Sequence, residues 1–275
     1  MSHSRNCAES NLVVCLHASA SSARQWQGLA GELAGVVDVI APKLVGYGDA
    51  APFDETTSFG FDSEIDAVVD QIGARWLDAG TRIHLVGHSY GAATAVHFAH
   101  RFPERVASLT LFEPVMFRLL ADVERWSAEW REICLVGNYV RSKVGRRFGR
   151  KKAARRFIEY WSGKGVWQFL PADRRQRFAR AMTKVAAEFE AIKCSPIQRR
   201  DLELLEMPVR LIYGSGTRAP ARAVSKVLAA TLPNAELSAL DNAGHMAPVT
   251  MPDRVNPLII EHIERYLPVR MRAAA

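Results

Sequence analysis

The chain has 275 residues, of which 48% are hydrophobic and 24% charged, with 13 prolines and 18 glycines. That composition excludes a disordered, collagen-like or fibrous protein, and the length suits one large α/β domain or a domain carrying an insertion. The net charge of +7 is uneven: residues 118–200 hold 21 Lys/Arg against 8 Asp/Glu, so a mildly acidic body carries a strongly basic segment.

The N-terminal stretch MSHSRNCAES lacks the apolar core of a signal peptide, and no run of about 18 apolar residues is free of charge. A cytoplasmic protein without a transmembrane segment is expected. Cys7, Cys15, Cys134 and Cys194 lack metal-ligand spacing and read as free thiols of a reducing compartment.

A first strand is predicted over 11–17, where NLVVCLH is apolar and β-branched. The stretch ASASS leads into a helical pattern over 24–33, and VVDVIAP predicts a second strand over 36–42. KLVGYGDAAPFDET reads as a loop punctuated by Gly and Pro. One helix is predicted over 61–79, with Ile65, Val68, Val69, Ile72, Trp76 and Leu77 on its buried side. Strands follow over 82–88 and 106–114, separated by a small-residue helix over 90–102. The basic segment reads as helical up to about residue 206. A fifth strand over 208–214, a helix over 221–232, a sixth strand from 235 and a closing helix over 252–266 complete the chain. Strands alternating with amphipathic helices predict a parallel sheet covered on both faces, interrupted once by a helical insert. The expected division is a core of residues 1–114 and 207–275 and an insert of 115–206.

In such sheets ligands bind beyond the C-terminal ends of the strands. His17, Ser89, Glu113 and His245 all fall at or just after such ends. Gly87-His88-Ser89-Tyr90-Gly91 follows a strand and opens a helix, the context that a G-x-S-x-G nucleophile elbow requires. There a serine hydroxyl stands above the sheet at a helix N-terminus, where developing negative charge is favoured. Ser89 is therefore the candidate nucleophile.

The pieces LVVCLHAS, GHSYGAA, PVRLIYG and NAGHMAPVTMP, in that order, resemble the α/β-hydrolase fold superfamily over nearly the whole chain. The resemblance implies a core of about six parallel strands with a trimmed N-terminus, a helical cap formed by the insert, and a Ser, acid, His order. It makes His245 the general base, a role that needs a pKa near neutrality. The family's usual acid lies in a loop after the fifth strand, but Gly214-Ser215-Gly216-Thr217 offers no carboxylate. Glu113, at the end of the fourth strand, is the alternative, as in certain haloalkane dehalogenases. It competes with a plain strand-end glutamate that caps the insert and with Asp241. The resemblance also implies an oxyanion hole from the backbone N–H groups of Ser19 and Tyr90, with Ala18 in place of the family's usual glycine.

His17, His88, Trp126 and Trp130 are candidate substrate-binding residues; four of the six tryptophans lie in the insert. Aromatic residues at helical spacing serve core packing as readily as a substrate wall. The sequence carries no G-x-G-x-x-G, P-loop or His/Cys metal spacing, so neither cofactor nor metal is expected. The leading reading is a serine hydrolase cleaving an ester, thioester or lactone of a small acyl substrate through an acyl-enzyme. Acyl transfer or C–C hydrolysis on the same triad, and ligand binding with little turnover, are alternatives. Residues 141–157 contain nine basic side chains and no acid. They suit a solvated helix face, an anionic substrate or weak association with an anionic membrane; no nucleic-acid signature accompanies them. The oligomeric state is left open.

Overall fold

A computed structural model describes residues 10–50 and 53–268. Cys7 lies outside the described residues. Six strands, β1 (Ser10–Leu16), β2 (Asp38–Ile40), β3 (Thr81–His88), β4 (Val106–Phe112), β5 (Val209–Gly214) and β6 (Ala235–Leu240), form one parallel sheet in the order β2-β1-β3-β4-β5-β6. The reversal of order beside β1 and β3 makes a crevice at the strand C-termini, where Ser89 stands.

Side-chain alternation divides the core between the two faces of the sheet. Val13, Cys15, Val86, Phe112 and Ile212 point to one side, against α1 (Gln27–Glu32) and the closing helix. Leu12, Val14, Leu16, Leu85, Leu109 and Leu111 point to the other. Those residues meet α2 (Phe61–Ile72) and α4 (Tyr90–Arg101). A short α3 (Ala74–Leu77) lies between those two helices. Because both faces are covered, the central strands are apolar throughout rather than alternating.

The segment between β4 and β5 is helical, as predicted. It contains α5 (Ser127–Val144), α6 (Gly149–Ser162), α7 (Val166–Phe169), α8 (Ala172–Lys193) and α9 (Arg199–Leu202). The long helices α5, α6 and α8 pack on one another, and their apolar stripes continue the core above the sheet. After β5 come α10 (Ala219–Ala229), α11 (Ala247–Thr250) and α12 (Pro252–Tyr266). Val255, Ile259 and Ile263 of α12, one turn apart, bury against the sheet.

Three elements differ from the sequence reading. The helix predicted over 61–79 ends at Ile72, where Gly73 takes a φ of +61° that turns the chain. Leu77 consequently lies outside the core and is 84% exposed. The helix predicted over 24–33 is a 3-10 turn, Ala23–Trp26, followed by α1. The second strand pairs over only three residues, Asp38–Ile40, as an edge strand.

An ionic cluster joins the insert to the sheet body. The buried Lys184 ammonium on α8 donates to Glu64 Oε1 on α2 at 2.5 Å and to Glu188 Oε1 at 2.9 Å. Tyr47 donates to the same Glu188 oxygen at 2.8 Å, and Val45 N–H to Glu64 Oε2 at 2.9 Å. Lys184 also lies over the rings of Phe59 and Tyr90, at 4.0 and 5.0 Å from their centroids.

Candidate active site

Ser89 sits between β3 and α4 with φ +58° and ψ −116°, backbone that a residue other than glycine occupies only under constraint. The constraint is visible. Ser89 N–H donates to Phe112 O at 3.0 Å, and Ser89 O accepts from Ala93 N–H at 3.1 Å. A Cβ on Gly87 would run into the Ala92 backbone, and one on Gly91 into the carbonyls of Leu16 and His17. The two glycines thus let α4 start close against β1 and β3 and aim the hydroxyl out of the sheet.

The hydroxyl meets His245. Ser89 Oγ lies 2.9 Å from His245 Nε2, and His245 Nδ1 lies 2.6 Å from Glu113 Oε2. An ionised carboxylate only accepts, so Nδ1 carries the imidazole proton and Nε2 accepts from the serine. Glu113 follows β4 with φ +47°, its N–H held by Ile212 O at 3.0 Å. Gly214 N–H donates to Oε1 at 2.8 Å, and the Thr217 hydroxyl to Oε2 at 2.6 Å. With His245 Nδ1–H, the buried carboxylate of Glu113 accepts three hydrogen bonds.

Thr217, at the position where the resemblance led us to look for a carboxylate, instead serves the one at Glu113. Asp241 makes no hydrogen bond to His245, whose Nδ1 bonds Glu113. Thr217 and the Gly214 amide were missed in the sequence because a donor to an acid has no motif of its own.

His17 and His88 lie behind Ser89 and His245, fully buried, rather than on an open wall. His88 Nε2 donates to His245 O at 2.8 Å, and its Nδ1 accepts from Gln25 Nε2 at 3.0 Å. Gln25 Oε1 in turn accepts from Ala18 N–H at 3.3 Å and Ser21 Oγ at 3.1 Å. One chain of polar contacts therefore ties the His245 loop to the turn after β1. His17 donates from Nδ1 to Ala18 O at 2.9 Å and accepts from Leu44 N–H at 3.3 Å. Burial pushes the pKa of His17 down to about 4 and that of His88 well below the usual histidine value. For His88 the neighbouring His245 adds to the effect of burial. Both therefore act as neutral supports. Gln25 was invisible in sequence, since its partners are distant in the chain.

The turn itself closes through Ser21 N–H to Ala18 O at 3.1 Å, with Ala20 at φ +54°. The Ser19 N–H makes no hydrogen bond among the described residues. Tyr90 N–H is one of the first amides of α4, which the helix leaves without an internal partner.

A tryptophan of the insert covers the imidazole, but it is neither of the two singled out. Trp161 on α6 stacks on His245 with ring centroids 3.9 Å apart and planes 27° from parallel. Tyr160 packs edge-on against Trp161, donates to Glu132 at 2.8 Å, and receives the Arg218 guanidinium on its carbonyl at 2.9 Å. Trp130 instead lines a small cleft with Phe117, Ile133 and Phe189, and Trp126 packs against the core. The sequence showed the four tryptophans of the insert without indicating which one faced the sheet.

A parallel sheet with a serine at an elbow, hydrogen-bonded through a histidine to a strand-end carboxylate, defines a class of α/β protein. The chain belongs to the alpha/beta hydrolase family, whose model matches residues 13–258. It is 32% identical over 105 residues to a haloalkane dehalogenase of Agrobacterium fabrum, covering 38% of this chain and 33% of that protein. It is 34% identical over 108 residues to a 2-hydroxy-6-oxo-2,4-heptadienoate hydrolase of Pseudomonas putida, covering 38% of each. The chain thus aligns with only about a third of the length of the curated relatives it matches. In structure it is similar to a thermophilic esterase from Thermogutta terrifontis. The TM-score is 0.73 at 21% identity, with 94% of this chain and 90% of that one covered.

Proposed function

We propose that the protein is a serine hydrolase acting on a carboxylic ester, thioester or lactone, with Ser89, His245 and Glu113 as its triad. The observation that carries this reading is the continuous hydrogen-bonded chain Ser89 Oγ, His245 Nε2, His245 Nδ1, Glu113 Oε2. Ser89 attacks the acyl carbon while Nε2 takes its proton, and Glu113 stabilises the imidazolium that forms. The N–H groups of Ser19 and Tyr90 receive the oxyanion. Collapse breaks the bond to the leaving oxygen or sulfur, which takes the proton from Nε2; an ester's alcohol or a thioester's thiol departs, a lactone's hydroxyl stays on the acyl chain, and water then enters by the reverse sequence to release the acid.

Residues 115–206 act as a cap over residues 1–114 and 207–275, with Trp161 as the part that shields the imidazole from solvent. His17 and His88 hold the site from behind, and the acyl pocket lies between sheet and insert. Halide displacement, as in the dehalogenase relatives, does not suit this chain. Alkylation of Ser89 by a haloalkane would leave an ether that water does not cleave, whereas an aspartyl ester would be hydrolysed. C–C hydrolysis of an anionic dienoate shares the triad, and the Pseudomonas putida relative gives that alternative its place.

The test is turnover of p-nitrophenyl esters of increasing acyl length, beside a vinylogous diketo acid. Ser89→Ala should lower kcat by at least about 10⁴-fold, and Glu113→Gln by about 10³- to 10⁴-fold. Ester turnover that persists in Ser89→Ala would overturn the reading.

A further inference from the structure

The turn between α5 and α6 and the outer face of α6 carry a charge pattern that the proposed chemistry does not use. Of the nine basic residues over 141–157, Arg141 pairs with Glu190 and Arg155 with Glu159. The other seven make no ion pair among the described residues. Helix α6 buries Ala153, Ala154, Phe157 and Ile158 and exposes Arg150, Lys151, Lys152 and Arg156. At its start Phe148 is 76% exposed and held at φ +61°, a conformation unfavourable for a bulky side chain. The Arg147 guanidinium lies 5.0 Å from the centre of its ring.

We propose that this surface docks on an anionic phospholipid bilayer, with Phe148 entering the headgroup region and the basic face of α6 lying along the phosphates. Unpaired like charges gathered at one turn and along the exposed side of the helix that follows repel one another and raise the potential there, which a negative surface relieves. A single exposed aromatic at a turn, flanked by cations, matches an interfacial anchor. Single-stranded nucleic acid favours a groove with successive aromatic platforms, whereas here Phe148 projects from the turn and the exposed Tyr139 lies back along α5 under Lys143. Trp161 lies about three turns further along the same helix, so the docking face and the cover of the imidazole share one element.

The experiment is co-sedimentation of the full chain with vesicles of phosphatidylcholine, alone or mixed with phosphatidylserine, at ionic strengths from ~0.05 to ~0.5 M. Binding is expected only to the mixed vesicles and only at low salt. Neutralising one basic residue should lower the partition coefficient about fivefold, the ratio equivalent to ~1 kcal/mol per residue near an anionic surface. Arg146→Gln/Arg150→Gln/Lys151→Gln together should therefore lower it about 100-fold. Phe148→Ala should weaken vesicle binding while leaving retention on heparin unchanged. These positions are exposed, and a thermal melt matching that of the parent verifies each fold. Three outcomes would overturn the proposal. They are no binding to mixed vesicles at low salt, unchanged binding by the triple variant, or tighter binding of a single-stranded RNA oligonucleotide than of vesicles with no effect of Phe148→Ala.

Discussion

Glu113 and Thr217 stand 104 positions apart in the chain, and their side chains meet at 2.6 Å beside one imidazole. The proposed acid sits at the end of one strand, and the hydroxyl that steadies it follows the next. An aspartate at 217 would direct its carboxylate toward the space that Glu113 Oε2 occupies. Glu113→Ala should therefore lose ester turnover, and adding Thr217→Asp should recover at least about tenfold of it, because a carboxylate again orients Nδ1–H. Comparing kcat for the two variants checks this, and equal rates would show that the second position cannot serve the histidine. The elbow was legible from five residues because its glycines and its place between strand and helix are local features. Glu113 stood out by its place at a strand end and by the resemblance to certain haloalkane dehalogenases, beside two competing readings. Its three donors come from parts of the chain whose proximity depends on the folded sheet.

At the scale of elements, Lys184 joins α8 of the insert to α2 of the body through Glu64, within a cluster closed by Glu188 and Tyr47. Burial raises the Glu64 carboxyl pKa, and the nearby ammonium opposes that rise. Lys184→Met would leave Glu64 and Glu188 buried without their cation and should cost about 3–5 kcal/mol of unfolding free energy in urea. Adding Glu64→Gln and Glu188→Gln should restore much of it, since uncharged groups carry a smaller desolvation penalty. An unchanged midpoint in Lys184→Met would mean that the cluster contributes nothing. In sequence, Lys184 and Glu188 resemble any solvated i,i+4 pair on a basic helix. Their burial follows from the packing of α8 over Tyr47 and Tyr90, which helical periodicity cannot show. The strands were more legible, because a sheet covered on both faces writes each strand as an unbroken apolar run. The break at Gly73 was missed because the apolar spacing continues through it to Leu77.

Across the whole molecule, buried histidines set the response to acid. Burial is the first cause in each case. It lowers the pKa of His17, His84 and His262 to about 4 and that of His97 to about 3, against an ordinary 6.5. His84 is typical: its ring lies 2.8 Å from Ser108 Oγ and 3.1 Å from Asn11 Oδ1, and a neutral ring satisfies both. Between about pH 6.5 and 4 the unfolded chain binds protons that the folded chain refuses. Stability is therefore full above about pH 6.5 and falls as the pH drops toward 4, by up to about 3 kcal/mol for each such histidine. The raised carboxyl of Glu64 acts in the opposite direction. Melting temperatures measured at steps from pH 7.5 to pH 5 should fall steadily, and a flat profile would contradict the burial of these rings.

Glu113 is the last residue before Pro114, where the chain leaves the sheet for the helical insert, and Thr217 lies just beyond the strand on which it returns. The proposed acid thus precedes the insert directly, and its donor follows it by one strand. Gene recombination that exchanges this cassette between relatives keeps the proposed triad and the donors to its acid only if the upstream crossover falls after codon 113 and the downstream one before codon 214. Within those borders helices can be replaced wholesale, and a new cover over His245 acquired, while Ser89, Glu113 and His245 stay with the sheet.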